Sequence, residues 1–187
     1  MEKKIVEKKS NSWKIFEILD FVLPLIFVFV MMTYVIAGTT VESGSMEPKL
    51  ETGTTAVYNR LAYKKHPVQR GDVICFYSDE FREYMGKRVI GLPGDEIVFR
   101  DGYVYINGLK CDESAYLDPE IETNCPNSFA VPEGCVFVMG DNREYSYDSR
   151  FFNNPYIPMN KIVGKYIGSV PLSIYKLERI INPNIDH

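Results

Sequence analysis

Histidine is almost absent from this chain. There are two, His66 and His187, in 187 residues. A metal site built on imidazoles is nearly excluded by that scarcity. A serine–histidine hydrolase would have to rely on His66 alone, because His187 is the last residue. His66 sits in Tyr63-Lys64-Lys65-His66-Pro67, which reads as an exposed turn. Tryptophan is single, internal repeats are absent, and no low-complexity tail appears. The net charge is −4, with no basic stripe or aromatic-basic interleaving, so nucleic acid is not a partner. The four cysteines, Cys75, Cys111, Cys125 and Cys135, include no C-x-x-C pair, which argues against a zinc knuckle or a thioredoxin-like motif. Cys75 and Cys135 lie in apolar runs and read as small buried hydrophobes. Cys111 and Cys125 lie in a polar, Pro- and Asn-rich stretch and could form a disulfide if that part of the chain is outside the cytoplasm.

What is present begins with a hydrophobic run free of charge, residues 21–38, which is 18 residues long. That is about the minimum able to span a hydrocarbon core near 30 Å thick. Glu17 and Asp20 mark its N-terminal shoulder, and Pro24 falls near its start. Lys3, Lys4, Lys8, Lys9 and Lys14 all precede it, whereas Glu42 follows it before any lysine. The positive-inside rule then puts the N-terminus in the cytoplasm and the bulk of the chain outside. A cleaved signal peptide has a similar outline. The run is longer than a usual signal-peptide core, however, and Tyr or Val at the −3 position makes its end a poor cleavage site. The expectation is an uncleaved anchor: residues 1–16 a cytoplasmic basic tail, 17–38 a single transmembrane helix, 39–187 an outer domain. About 150 residues remain after the anchor, the usual size of one domain with its own core.

Tyr (13) and Phe (11) are plentiful, which suits strands better than helical bundles. From Gly53 onward, short apolar or alternating runs are broken by Gly, Pro, Asn and Asp. Strands are expected at residues 54–58, 72–77, 87–91, 96–99, 103–106, 135–139 and 161–167. Asp101-Gly102 and Asn107-Gly108 are strong hairpin signals. No amphipathic helix competes with these strands. Spacings of about ten residues predict a mostly β domain, a folded sheet or barrel. Residues 112–132 read as a long connection or insertion, and 177–187 as a short final helix.

Three segments carry candidate chemistry. Ser43-Gly44-Ser45 lies just past the hydrophobic run, with Met46 and Pro48 behind it. On its own it is a common loop tripeptide, although a plain linker rarely runs straight into an apolar residue and a proline. With histidine scarce, lysine is the alternative base for such a serine. A free amine is protonated near pH 7, and only burial makes it useful. Lys87 starts an apolar strand and is the best placed, though composition alone favours Lys87-Arg88 as two solvated charges. Gly140-Asp141-Asn142-Arg143-Glu144-Tyr145-Ser146-Tyr147-Asp148-Ser149-Arg150 follows an apolar strand. It reads either as a solvated turn or as a scaffold whose hydroxyl and ion pairs fix a buried lysine.

Taken together, Ser43-Gly44-Ser45-Met46-x-Pro48, Arg70-Gly71-Asp72-Val73, Lys87-Arg88-Val89-Ile90-Gly91-Leu92-Pro93-Gly94-Asp95 and Gly140-Asp141-Asn142-Arg143-x-x-Ser146-x-Asp148-Ser149-Arg150 resemble, in order, the boxes of bacterial type I signal peptidases. The resemblance covers the anchor and nearly all of the outer domain. It implies Ser45 as nucleophile and Lys87 as general base. Ser43 and the Ser45 backbone N–H would form the oxyanion hole, and Ser146 would orient the lysine amine. Asp141 with Arg88, and Asp148 with Arg150, correspond to structural ion pairs. Met46 and Leu50 correspond to the pocket for the small residue before the cut. The implied activity is removal of signal peptides from exported preproteins at A-x-A-like sites, with the substrate bound as an added strand. The implied surroundings are the cell membrane, its lipid and, by proximity, the export machinery; no cofactor or metal is implied.

The chain departs from that pattern at two places. Glu42 stands where many members have Pro, and Lys49 where most have Thr. Both flank Ser45 and bear on substrate preference or loop rigidity. Microsomal relatives carry histidine at the lysine position, and Lys87 argues against that subtype. Rival readings are a self-cleaving serine–lysine repressor, whose DNA-binding domain would occupy the place of the anchor, a non-enzymatic anchored β scaffold, and a peptidase specialised for a few substrates.

Overall fold

The computed structural model describes residues 2–171, with side chains from Phe16 onward. The helix expected at 177–187, and His187 with it, lie outside the described residues. Contacts divide the chain into two units, residues 1–36 and 37–187.

The first unit is helix α1, Glu2–Val30, prolonged by a π-helical turn, Met31–Val35, with Pro24 inside the helix. Phe16–Val35 is 20 residues with a mean hydropathy of 2.3, long and apolar enough to cross a membrane. The helix ends earlier than the hydrophobic run. Ile36–Thr40 is a strand, β1, so the last three residues of the 21–38 run belong to a sheet. The reason is local: Val35, Ile36, Thr39 and Thr40 are β-branched and Gly38 is a poor helix former. Hydrophobicity alone does not separate the end of an apolar helix from the start of an apolar strand.

The second unit is built on two antiparallel sheets. Its strands are β2 (Thr54–Asn59), β3 (Val73–Ser78), β4 (Glu83–Gly91), β5 (Glu96–Arg100), β6 (Tyr103–Ile106), β7 (Leu109–Lys110), β8 (Phe129–Ala130), β9 (Cys135–Met139), β10 (Ile157–Pro158) and β11 (Ile162–Pro171). The larger sheet runs β1-β2-β11-β3-β4-β9-β10 and the smaller β7-β6-β5-β8. The expected strands are all present, and the mostly β class holds. A single helical turn, α2 (Ala62–Lys65), occupies part of the stretch read as a turn. Asp101, Gly102, Asn107 and Gly108 all have positive φ, between 52° and 80°. Both hairpins of the small sheet therefore close with the mirror-image turns that Asp-Gly and Asn-Gly favour.

The central strands are apolar on both faces because both faces are covered. On β3, Ile74 and Phe76 enter one core with Val89, Val136 and Val138, while Val73 and Cys75 enter a second with Met46, Leu50, Ala56 and Tyr58. On β9, Phe137 and Met139 point the other way from Val136 and Val138. They join Ile90, Ile97, Val104 and Val131 under the small sheet.

All four cysteines are free, so the disulfide considered for Cys111 and Cys125 is not formed. Cys111 instead stays with the small sheet: its N–H donates to Val104 O, and its side chain packs against that sheet's core.

Candidate active site

After β1 the chain is tied to β2 by hydrogen bonds from Val41 N to Thr54 O and from Gly53 N to Val41 O, each 2.8 Å. Between these ties it makes a 3-10 turn, Gly44–Met46, followed by a cis Glu47–Pro48 peptide. Met46 and Leu50, each 2% exposed, anchor the turn in the core beside Tyr58. Ser45, immediately before Met46, is 8% exposed. The Ser43 hydroxyl donates to Ser45 Oγ at 3.3 Å.

Lys87 is set in the middle of β4, opposite Ile74 of β3, and is 2% exposed. Its Nζ donates to Ser146 Oγ at 3.1 Å. The Ser146 hydroxyl donates in turn to Asp148 Oδ2 at 2.7 Å, so it presents lone pairs to the amine. Burial pushes the Lys87 pKa down from 10.5 to about 8; the Asp148 carboxylate opposes that fall and the Arg150 guanidinium adds to it. An amine with that pKa is roughly a tenth neutral at pH 7.

Asp148 is fully buried. It accepts from Ser146, from Gly140 N at 2.9 Å, and from Arg150 Nε and Nη2, both 2.9 Å. Arg88 forms a bidentate pair with Asp141, at 2.7 and 2.5 Å, and its other nitrogen donates to Gly71 O. The Tyr116 ring lies 4.0 Å from that guanidinium carbon. These charges are buried but paired, the condition under which buried charge is tolerated.

Ser43, Ser45, Met46, Leu50 and Lys87 line one cleft of about 450 Å³. One wall is the 39–43 stretch that leaves β1, and the other is Glu83, Tyr84, Met85 and Gly86 of β4. β1 is the end strand of its sheet, and β9 pairs with β4 only at Arg88, Val89 and Gly91. Two strand edges thus face the cleft with backbone groups to offer an extended peptide. Glu42 lines this cleft, whereas Lys49 does not: its amine sits 5.8 Å from the Tyr166 ring centroid. His66 is exposed at the end of α2 and does not line the cleft. Among the described residues no cluster of three or more His, Cys, Asp or Glu is placed to hold a metal ion.

Several residues that the sequence left without a role belong to this site. Asn142 donates its N–H to Ser45 O at 3.1 Å and its side-chain amide to Gly44 O at 3.0 Å. Gly140 has no room for a Cβ, which would overlap Ser146 Oγ and Ser45 O. Arg143, buried, donates to Gly140 O, to Thr123 Oγ1 and to both oxygens of Glu113. The 112–132 connection is therefore latched to the site. The only sequence signal for this was the density of charge in the 140–150 segment.

The family model described as signal peptidase, peptidase S26, matches residues 15–170. A signal peptidase I of Bacillus caldolyticus is 38% identical, covering 85% of this chain and 89% of that protein. A signal peptidase IB of Staphylococcus aureus strain Mu50 is 31% identical, covering 86% and 88%. The crystal structure of a signal peptidase I from Enterococcus faecalis V583 superposes with a TM-score of 0.45 at 32% identity, covering 54% of this chain and 97% of that one. A family match over most of the chain, and relatives covered nearly end to end, lead to one statement: the chain belongs to the signal peptidase family, peptidase S26.

Proposed function

We propose that this protein is a membrane-anchored serine endopeptidase that removes N-terminal signal peptides from exported preproteins by a Ser45/Lys87 dyad. The observation that carries the reading is the Lys87 amine, buried against Ser146 in the cleft that also holds Ser45. The neutral amine takes the Ser45 hydroxyl proton as Oγ attacks the scissile carbonyl. Charge then develops on the carbonyl oxygen, where the Ser45 N–H and the Ser43 hydroxyl are the donors. Removing one such donor typically costs about 10²–10³ in rate. The protonated Lys87 returns its proton to the leaving amine as the C–N bond breaks and the acyl-enzyme forms. A water deprotonated by Lys87 then releases the acyl group.

The substrate lies extended between the edges of β1 and β4. Its alternate side chains face the floor of Met46 and Leu50, which favours small residues at −1 and −3. The apolar stretch Phe16–Val35 and the lysines before it support a single anchor with a cytoplasmic N-terminus, the domain lying outside the cell membrane. Ser45→Ala and Lys87→Ala are each expected to abolish cleavage of an A-x-A precursor in detergent. Near-normal turnover by either variant would reject the dyad.

A further inference from the structure

We infer that Asn142 is a positioning residue that holds the Ser45 turn in its reactive shape. The inference rests on the Ser45/Lys87 reading. Asn142 comes from a different part of the chain, 98 positions beyond Gly44, yet it binds two consecutive carbonyls of the turn, Gly44 O through its side chain and Ser45 O through its backbone. Both peptide planes on either side of Ser45 Cα are thereby tied to the 140–150 segment; the first is also held within the turn, where Glu47 N–H donates to Gly44 O at 3.1 Å. The first of them carries the Ser45 N–H, the oxyanion donor, because the Gly44 carbonyl and that N–H share one peptide unit. A bond to Gly44 O therefore sets the direction of the donor.

The same segment reaches the base. Gly140, two residues earlier, packs against both Ser45 O and Ser146 Oγ with no space for a Cβ, and its N–H holds Asp148. One short stretch thus carries the donor's peptide plane on one side and the lysine-orienting hydroxyl on the other. The side-chain amide of Asn142 bonds the Gly44 carbonyl, not Ser45 Oγ or Lys87; it acts through the turn. Its loss should leave ground-state binding intact and weaken what the turn does when the carbonyl oxygen becomes charged.

The test compares two variants with the full-length protein in detergent. Asn142→Ala removes the amide donor and leaves the backbone N–H. Asn142→Asp keeps the volume but replaces the donor with an acceptor facing the Gly44 carbonyl. Each is expected to lower kcat by about tenfold or more, with KM within about twofold. A peptide aldehyde provides the second readout. Ser45 Oγ bonds to its carbonyl carbon, the π electrons move to oxygen, and the hydroxyl proton passes to Lys87. The affinity for the aldehyde should fall in step with kcat, while that for the matched unreactive peptide amide stays constant.

If Asn142→Asp matches the parent, the residue only fills space and the inference fails. If aldehyde and amide affinities fall together, or the variant does not fold, Asn142 serves binding or stability and the inference fails as well. Ser45→Ala separates the two levels. Should it keep the preference for aldehyde over amide, the dyad reading is wrong; should it erase the preference while both Asn142 variants keep it, only the assignment of Asn142 is wrong.

Discussion

At the scale of single residues, the site depends on one amine kept from water and one glycine kept bare. Lys87 is buried with a pKa near 8, against 10.5 for a free lysine. Below pH 8 both folded and unfolded chains bind the proton, and the folded state carries the whole cost of burying the charge. Between about 8 and 10.5 the unfolded chain binds more protons than the folded one, so stability rises with pH; above that window the cost is gone. A depression of that size corresponds to about 3 kcal/mol. Lys87→Met should therefore be inactive yet more stable than the parent at pH 7, by up to roughly that amount, with the gain shrinking between pH 8 and 10.5. Chemical denaturation at pH 7 and at pH 10 measures it, and a gain of equal size at both would contradict the burial argument. Gly140 answers to geometry alone. Gly140→Ala forces a methyl against Ser146 Oγ and Ser45 O, and is expected to lower kcat at least a hundredfold while precursor binding persists. Neither role of Gly140 was legible in the sequence, because a glycine after an apolar strand reads first as a turn.

At the scale of elements, the strands were legible and their short companions were not. β2, β3, β5, β6 and β9 carry enough apolar or alternating residues to declare themselves. β7, β8 and β10 have two residues each, too few to show a period, and exist because a neighbouring strand offers an edge. β4 begins four residues before the expected strand, at Glu83. Its first half, residues 83–86, falls outside the expected strand, yet that half forms a wall of the cleft. The 112–132 connection has weak patterning, and nothing in it announced that Glu113 and Thr123 bind the buried Arg143. Removing that guanidinium strands a partly buried carboxylate and frees the Gly140 carbonyl. Arg143→Met should destabilise the fold by about 3 kcal/mol in urea unfolding and lower activity at temperatures where the protein is still folded. A loss of stability without loss of activity would mean that the latch serves only the connection.

At the scale of the whole molecule, the account is of a β catalytic domain whose chain begins one residue after an apolar helix. Residues 1–36 and 37–187 are separate units, and only ten positions separate Val35 from Ser45. Membrane topology is the corresponding prediction. Protease added outside intact spheroplasts should digest the domain and leave an N-terminal epitope protected; digestion of the epitope alone would reverse the orientation. The ordered boxes made the family legible from the sequence. The depressed lysine was legible only as a requirement, because the burial that creates it comes from strands distant in sequence. The central claim is that Ser45 is activated by a neutral, buried Lys87. Its most direct test is the rate at which a serine-directed acylating inhibitor labels the protein as pH is varied, with the modified residue located by peptide mass spectrometry. The account predicts a single label on Ser45 and a rate that rises with pH to a plateau through a midpoint near 8. A label on another residue, a rate indifferent to pH, or a midpoint near the 10.5 of a free lysine would contradict it.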